Sequence, residues 1–457
     1  MAELLRAGAV GLAFLLIFAT AEFWQRCRNP PVEWSRKFVH FMGGLLVLGF
    51  PWIFETRWSV LVLAASFAAM IWSTRRIGLL QSVHGVSRAS HGGLFYPLGV
   101  VLLFTLAYDR PVLYLAAALT LIVADTAAAL LGSAYGRKTY AVEDDHRSIE
   151  GSAVFLLVTF LAVHVPLLLM TGIDRYASVL VAVHVAMVVT LFEGVSLRGS
   201  DNLLIPLGAY LLLLRLTAEP VSVVSGHIVA LVATLVLLGI VAWRSHLLTT
   251  SGVMAASLFF YWVYALGGVE WLAAPAMAVL GLAGLRAVLG SRVSLPEAEY
   301  QVVATFYAVA VAILLLIASD IVRFLAEAPQ WLGSAEALQG PYTGAIIGQV
   351  AIVATTQLQP FGPGRRRPPS IRATLALLAA AFLVLGPPVL WLTGGLSTLA
   401  VSTSAAIALM AVTLYWVARR LSGWPAEQPW NMRLQAACVA AATVVVVPVH
   451  LLVLAGG

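Results

Sequence analysis

Charge is scarce in this chain. Asp, Glu, Lys and Arg make up 11% of its 457 residues, and only two of the basic residues are lysines, Lys37 and Lys138. Cysteine is scarcer still. Cys27 and Cys438 lie far apart, which excludes a disulfide framework or a cysteine metal site. The strict two-residue alternation of a membrane barrel is also missing, so any membrane spans are helical. What remains is hydrocarbon: 61% hydrophobic residues and a mean hydropathy of +0.94 mark an integral membrane protein.

Apolar runs of spanning length recur from end to end. They fall near residues 8–23, 38–54, 58–73, 93–108, 111–132, 152–171, 176–193, 202–217, 226–243, 250–268, 271–286, 300–319, 343–359, 372–392, 397–417 and 435–454. The pattern predicts an all-α polytopic membrane protein with about 16 transmembrane helices. Ala19-Thr20-Ala21 resembles a signal-cleavage site, but the n-region carries one acid and one base and four bases follow the run, so a retained first helix is expected.

The formal net charge of +6 concerns topology and gives no reason to expect a nucleic-acid partner. Alternate loops hold 21 of the 27 Lys and Arg residues, leaving Arg6, Arg57, Arg110, Arg175, Arg215 and Arg323 on the other side. This positive-inside bias places the richer loops in the cytoplasm and both termini opposite, as in a bacterial inner membrane.

Against this background the segment 124–152 stands out. Asp125 interrupts an apolar run, and a carboxylate at that depth costs roughly 3 kcal/mol on insertion scales. Such a residue is retained for a task, here at about 10 Å inside the helix end. Asp125, Ala128, Ala129, Gly132 and Gly136 share one helix face of small residues, open to close approach by a helix or ligand. The same membrane face collects Arg36, Lys37 and His40, then Arg88, Ser90 and His91, then Lys138 and Arg147, then Glu193, Asp201 and Asn202.

The helix expected after Arg147 offers an N-terminus suited to phosphate, with Ser148 or Ser152 as its cap. Asp201 has the character of an N-cap as well. Glu143, Asp144 and Asp145 form a solvated acidic turn. Gly132 to Thr139 only imitates a phosphate-binding loop: the glycine spacing is one residue short, and it follows a membrane helix instead of a strand. His84, His91 and His146 make no ligand spacing with one another.

RKFVH at 36–40, HGGLFYPLG at 91–99, ADTAAALLGSAYG at 124–136, RSIEGSAVF at 147–155 and FEGVSL…SDNLLIPL at 192–207 together resemble the CTP-dependent polyprenol kinases. That family includes dolichol, phytol and farnesol kinases, and the order and intervals resemble its phytol kinase branch. The resemblance covers residues 30–216 or thereabouts. It implies transfer of the γ-phosphate of CTP to the hydroxyl of a lipid alcohol. It further implies Mg²⁺ on Asp125, with Glu193 and Asp201 as second metal contacts or proton acceptors, and His40 among the catalytic residues. The nucleotide would meet Arg36, Lys37, Gly132, Gly136, Lys138, Arg147, Ser148, Glu150, Gly151 and Asn202. Arg147 departs from the lysine that members of the family often carry before Ser-x-Glu-Gly.

Two domains are therefore expected, a catalytic membrane domain over 1–216 and a second helical membrane domain over 217–457. HLLTTSGVMAA at 246–256 resembles the start of the phytyl-phosphate kinase membrane family, but the region 348–359, GQVAIVATTQLQ, lacks that family's acidic motif. This half is read as non-catalytic: a scaffold, a wall guiding lipid, or the interface of a homodimer. Arg365, Arg366 and Arg367 make a cytoplasmic loop able to touch anionic lipid, and 320–342 a longer external loop. Two other functions fit parts of the pattern: a cytidylyltransferase forming a CDP-lipid, and a transporter. Against transport, the polar residues gather at one membrane face and not at the midplane.

Overall fold

The computed structural model describes residues 2–77, 91–290, 301–324, 335–357, 371–392, 397–422 and 430–456. Arg88, Ser90, His84 and the Arg365–Arg367 loop lie outside the described residues. Each apolar run coincides with a helix: α1 (Ala2–Arg28), α2 (Val32–Leu48), α3 (Arg57–Arg76), α4 (Gly92–Leu106), α5 (Pro111–Tyr135), α6 (Ile149–Met170), α7 (Arg175–Val195), α8 (Asp201–Leu216), α9 (Val221–Ser245), α10 (Thr250–Gly267), α11 (Ala273–Gly290), α12 (Val302–Phe324), α13 (Ala335–Gln357), α14 (Ile371–Leu392), α15 (Thr398–Ser422) and α16 (Trp430–Gly456). Among the described residues eleven helices are long and apolar enough to cross a membrane, by length and composition. Among the shorter ones are α2 with 17 residues, α4 with 15 and α8 with 16.

Two compact units divide the chain, Met1–Ile228 and Val229–Gly457, with the break inside α9. In the first unit, local chemistry sets the helix starts. Pro111 stands in the first turn of α5, where its missing N–H is no loss. Ser148 caps α6 by accepting from Gly151 N at 3.1 Å. Asp174 caps α7 by accepting from the amides of Tyr176 and Ala177. α6 packs on α7 and on the second half of α5, while α4 lies between α3 and α8. Their shared core includes Tyr114, Ala117, Val185, Ile205 and Leu213, all fully buried. Leu157, Leu161 and Leu169 on α6 stay exposed, an apolar face of the kind lipid covers.

Two features depart from a plain helical reading. One is a hairpin, β1 (Thr139–Val142) and β2 (Asp145–Ser148), paired antiparallel from Thr139↔Ser148 to Val142↔Asp145. Its two-residue turn is Glu143-Asp144, with Glu143 at φ +53°, so the expected acidic turn is the tip of a ribbon. The other is a π-helical turn at Thr120–Ala124 in the middle of α5. The external loop expected over 320–342 is also shorter than read. α12 runs to Phe324 and α13 starts at Ala335, carrying Pro341 inside it.

In the second unit α13 is the buried centre, with almost every side chain from Ala337 to Thr355 enclosed. It packs most closely on α15, where Ser404 Oγ donates to Gly340 O at 2.8 Å. Gln349 Nε2 donates to Gln435 Oε1 of α16 at 2.8 Å. The described part of the stretch that lacks an acidic motif therefore serves as core.

Candidate active site

Six helix ends of the first unit meet at one place: the starts of α2, α4, α6 and α8 and the ends of α5 and α7. Asp125 opens the regular α-helical part of α5 directly after the π turn. Such a turn inserts a residue into the helix and swings the residues beyond it onto a new face, and it is frequent at functional sites. Here the new face meets α2. Lys37 Nζ donates to Asp125 Oδ2 at 2.5 Å, with the two side chains 11% and 13% exposed. His40, one turn further along α2, places Nε2 3.5 Å from the same oxygen and 3.3 Å from Leu121 O. Asp125 Oδ1 carries no hydrogen bond among the described residues.

A second ion pair lies beside the first. Arg147 Nη1 pairs with Glu193 Oε1, and Nη2 donates to Ser196 O at 3.1 Å. This arginine also acts electrostatically on Asp125. The pairing is incomplete, because Arg147 Nε and Glu193 Oε2 are both buried without a hydrogen-bond partner. A buried donor or acceptor left open costs about 1–3 kcal/mol. Tyr96 Oη and Thr126 Oγ1 are open in the same way. Tyr96 packs edge-on against His40 with ring centroids 5.0 Å apart, and Thr126 follows Asp125 in the chain. Open hydrogen-bonding atoms thus collect around Asp125.

The glycine positions have a packing cause. A Cβ on Gly132 would meet Ser148 Oγ at 2.9 Å and Gly151 Cα at 3.1 Å, so α5 and the start of α6 touch backbone to backbone. Gly136 lies against Ser148 in the same seam. The amides at the start of α6 already have partners inside the protein. Ile149 N donates to Lys138 O and Gly151 N to Ser148 Oγ, while the Glu150 carboxylate receives Lys138 N at 3.3 Å. Of the two expected candidates Ser148 is the cap, whereas Ser152 Oγ bonds Tyr140 Oη at 2.9 Å.

Asp201 is the first residue of α8, with Ser200 in the cap position, because Arg198 and Gly199 turn the chain through positive φ just before it. Asp201 Oδ1 accepts from Asn202 N at 3.0 Å and Asn202 Nδ2 at 3.3 Å, and Asp201 acts electrostatically on His40. The 91–99 motif is tied to this turn: His91 N donates to Arg198 O at 2.8 Å, and Gly99 leaves no room for a Cβ beside Asn202 O. Arg36 is held by Glu33 at 3.2 Å, and Lys138 stays exposed.

The structure thus brings together Lys37, His40, Asp125, Arg147 and Glu193, with Asp201 within electrostatic reach. It does not gather Asp125, Glu193 and Asp201 into one metal-binding cluster; among the described residues no three His, Cys, Asp or Glu side chains are so grouped. Among these residues Asp125 could offer a carboxylate oxygen to a cation such as Mg²⁺. Tyr96 and Thr126 stand within the quoted motifs, but sequence reasoning gave neither a role. Their only signal was position, inside or beside the motifs.

The chain is 34% identical over 209 residues to the phytol kinase of Synechocystis sp., an alignment covering 45% of this chain and 89% of that protein. No family model matches the chain. No solved structure matches it either.

Proposed function

This chain belongs to the phytol kinase family, and from that premise we propose that it transfers the γ-phosphate of CTP to the hydroxyl of an isoprenoid lipid alcohol of the phytol, farnesol or polyprenol type. The observation that carries the reading is the buried Lys37–Asp125–His40 cluster, bordered by an Arg147–Glu193 pair with a donor and an acceptor still open. Phosphoryl transfer requires positioning and charge neutralisation, with little covalent work by the protein.

In this reading Arg147, Lys37 and the exposed Lys138 draw the triphosphate to the end of the bundle, with Arg36 at its edge. Asp125 Oδ1 would hold Mg²⁺, which when bound neutralises charge on the phosphate oxygens. Glu193 Oε2, the oxygen that Arg147 leaves open, takes the proton of the alcohol. The alcohol oxygen then bonds the γ-phosphorus, the bond from that phosphorus to the β-phosphate bridging oxygen breaks, and CDP leaves. Asp201 assists by holding the start of α8 against the site.

The same proposal makes all sixteen helices membrane-spanning, with the site at the cytoplasmic face of a bacterial inner membrane. The catalytic part is the expected 1–216 domain. Residues 217–457 serve as scaffold, lipid-guiding wall or homodimer interface, since the described part of the acid-free stretch at 348–359 is buried core.

The test is an assay of membranes containing the full chain, given γ-labelled CTP, Mg²⁺ and a panel of phytol, farnesol, geranylgeraniol, polyprenols and diacylglycerol. Label in an isoprenoid alcohol with release of CDP supports the reading. Release of pyrophosphate with a CDP-lipid product would replace it with nucleotidyl transfer, and unlabelled lipids with well-folded protein would end it.

A further inference from the structure

Among the described residues Tyr96 is the one tyrosine whose phenol oxygen is buried without a hydrogen-bond partner. Other enclosed tyrosines of the first unit use theirs. Tyr114 donates to Val47 O at 2.9 Å and Tyr210 to Leu106 O at 2.7 Å. A lone buried hydroxyl is costly, and phenylalanine would fill the same space without that cost. The hydroxyl therefore has a use that the unliganded protein does not show.

Its place indicates the kind of use. The ring rests edge-on against His40, whose Nε2 is near Asp125 Oδ2, so Tyr96 borders the ion-pair cluster. The phenol also lies in the neighbourhood of that of Tyr114. Tyr114 belongs to an apolar aromatic group with Phe104 and Phe50. Tyr96 thus borders both the ion-pair cluster and this apolar group. Bound phosphate would sit with the cations on the charged side, whereas an amphiphile entering from the apolar side would bring its hydroxyl to this point first.

We infer that the Tyr96 phenol receives the acceptor alcohol, donating its O–H to the alcohol oxygen. This rests on the lipid-alcohol kinase reading and deepens it. With one lone pair of the alcohol oxygen held by Tyr96, another stays available for attack on phosphorus and its proton for a carboxylate. Tyr96 then fixes where the nucleophile stops without itself accepting or releasing a proton.

The experiment compares the purified full chain with Tyr96→Phe in detergent. It reads the thermal midpoint, equilibrium binding of a tritiated isoprenoid alcohol without nucleotide, and the Michaelis constants for alcohol and CTP. The expected result is a midpoint equal to or above that of the parent protein, alcohol binding weakened about 5- to 10-fold, and an unchanged KM for CTP. Alcohol binding within about twofold of the parent overturns the inference. So does a lowered midpoint, which would give the phenol a partner in the unliganded protein, and so does a rise confined to the CTP constant, which would put the phenol on phosphate. Because binding is read without nucleotide, a protein that binds alcohol but transfers no phosphate would defeat the kinase reading separately.

Discussion

Lys37 and Asp125, 88 positions apart in sequence, meet at 2.5 Å inside the first unit. One of the chain's two lysines is therefore committed to a candidate catalytic carboxylate. A buried pair of this kind is weak evidence of net stability, but breaking it by removing one member is expensive.

Asp125→Ala leaves Lys37 as an uncompensated buried charge, so a loss of about 3–5 kcal/mol is expected, together with a fall in activity of at least about 100-fold. The double variant Lys37→Met with Asp125→Leu separates the two effects. It should recover most of the thermal midpoint in detergent and none of the activity. Recovery of activity would remove Asp125 from the chemistry.

Glu193→Gln keeps the shape but surrenders the carboxylate. The expected change is a drop in kcat of roughly 100-fold with little change in the KM for nucleotide, measured by steady-state kinetics on the purified chain. A defect found only in KM would recast Glu193 as the residue that orients Arg147.

Arg147→Lys preserves charge, yet a lysine cannot reach Glu193 and Ser196 O with two parallel donors as the guanidinium does. We expect roughly a tenfold loss of kcat/KM. Full activity would show that charge alone matters at this position, in keeping with the lysine often found there in the resembling kinases.

Gly132→Ala tests the α5–α6 seam. Its methyl would press on Ser148 Oγ and Gly151 Cα, and a destabilisation of about 1–3 kcal/mol is expected. Gly239→Ala, whose Cβ meets nothing within 4 Å, is the control and should be neutral or stabilising by up to about 1 kcal/mol. Equal midpoints for both variants would deny the close contact.

In the second unit, Gln349→Leu strands the amide of Gln435 and should cost about 1–3 kcal/mol, while the double Gln349→Leu, Gln435→Leu should cost less. Activity assayed below the midpoint should match the parent in both. A specific activity loss would give this unit a share of the chemistry.

The helices were legible because burial in lipid demands unbroken apolar runs, and each of those runs became a helix. Asp125 was legible as an interruption in one of them. Its partner was visible only as a member of the same membrane face, since composition does not say which of Arg36, Lys37 or His40 will turn toward it. The hairpin was hidden because TYAV and DHRS are too short to show a period. The amides at the start of α6 looked available for a ligand, but Gly151 N is taken by the cap Ser148 and Ile149 N by Lys138 O, a carbonyl the sequence cannot place. Tyr96 stood inside a recognisable motif, but its role was hidden for another reason: an unpartnered hydroxyl is a property of surroundings.

The π turn at Thr120–Ala124 makes α5 a rod with a phase slip, its packing half and its chemical half cut in different rotational settings. Were the same residues to run on as an unbroken α-helix, every apolar contact before Thr120 would stay intact. Asp125, however, would be rotated by about 100°, away from Lys37. The same carboxylate, at nearly the same depth, would then point at a different neighbour, so the aim of this residue is written in the residues that precede it.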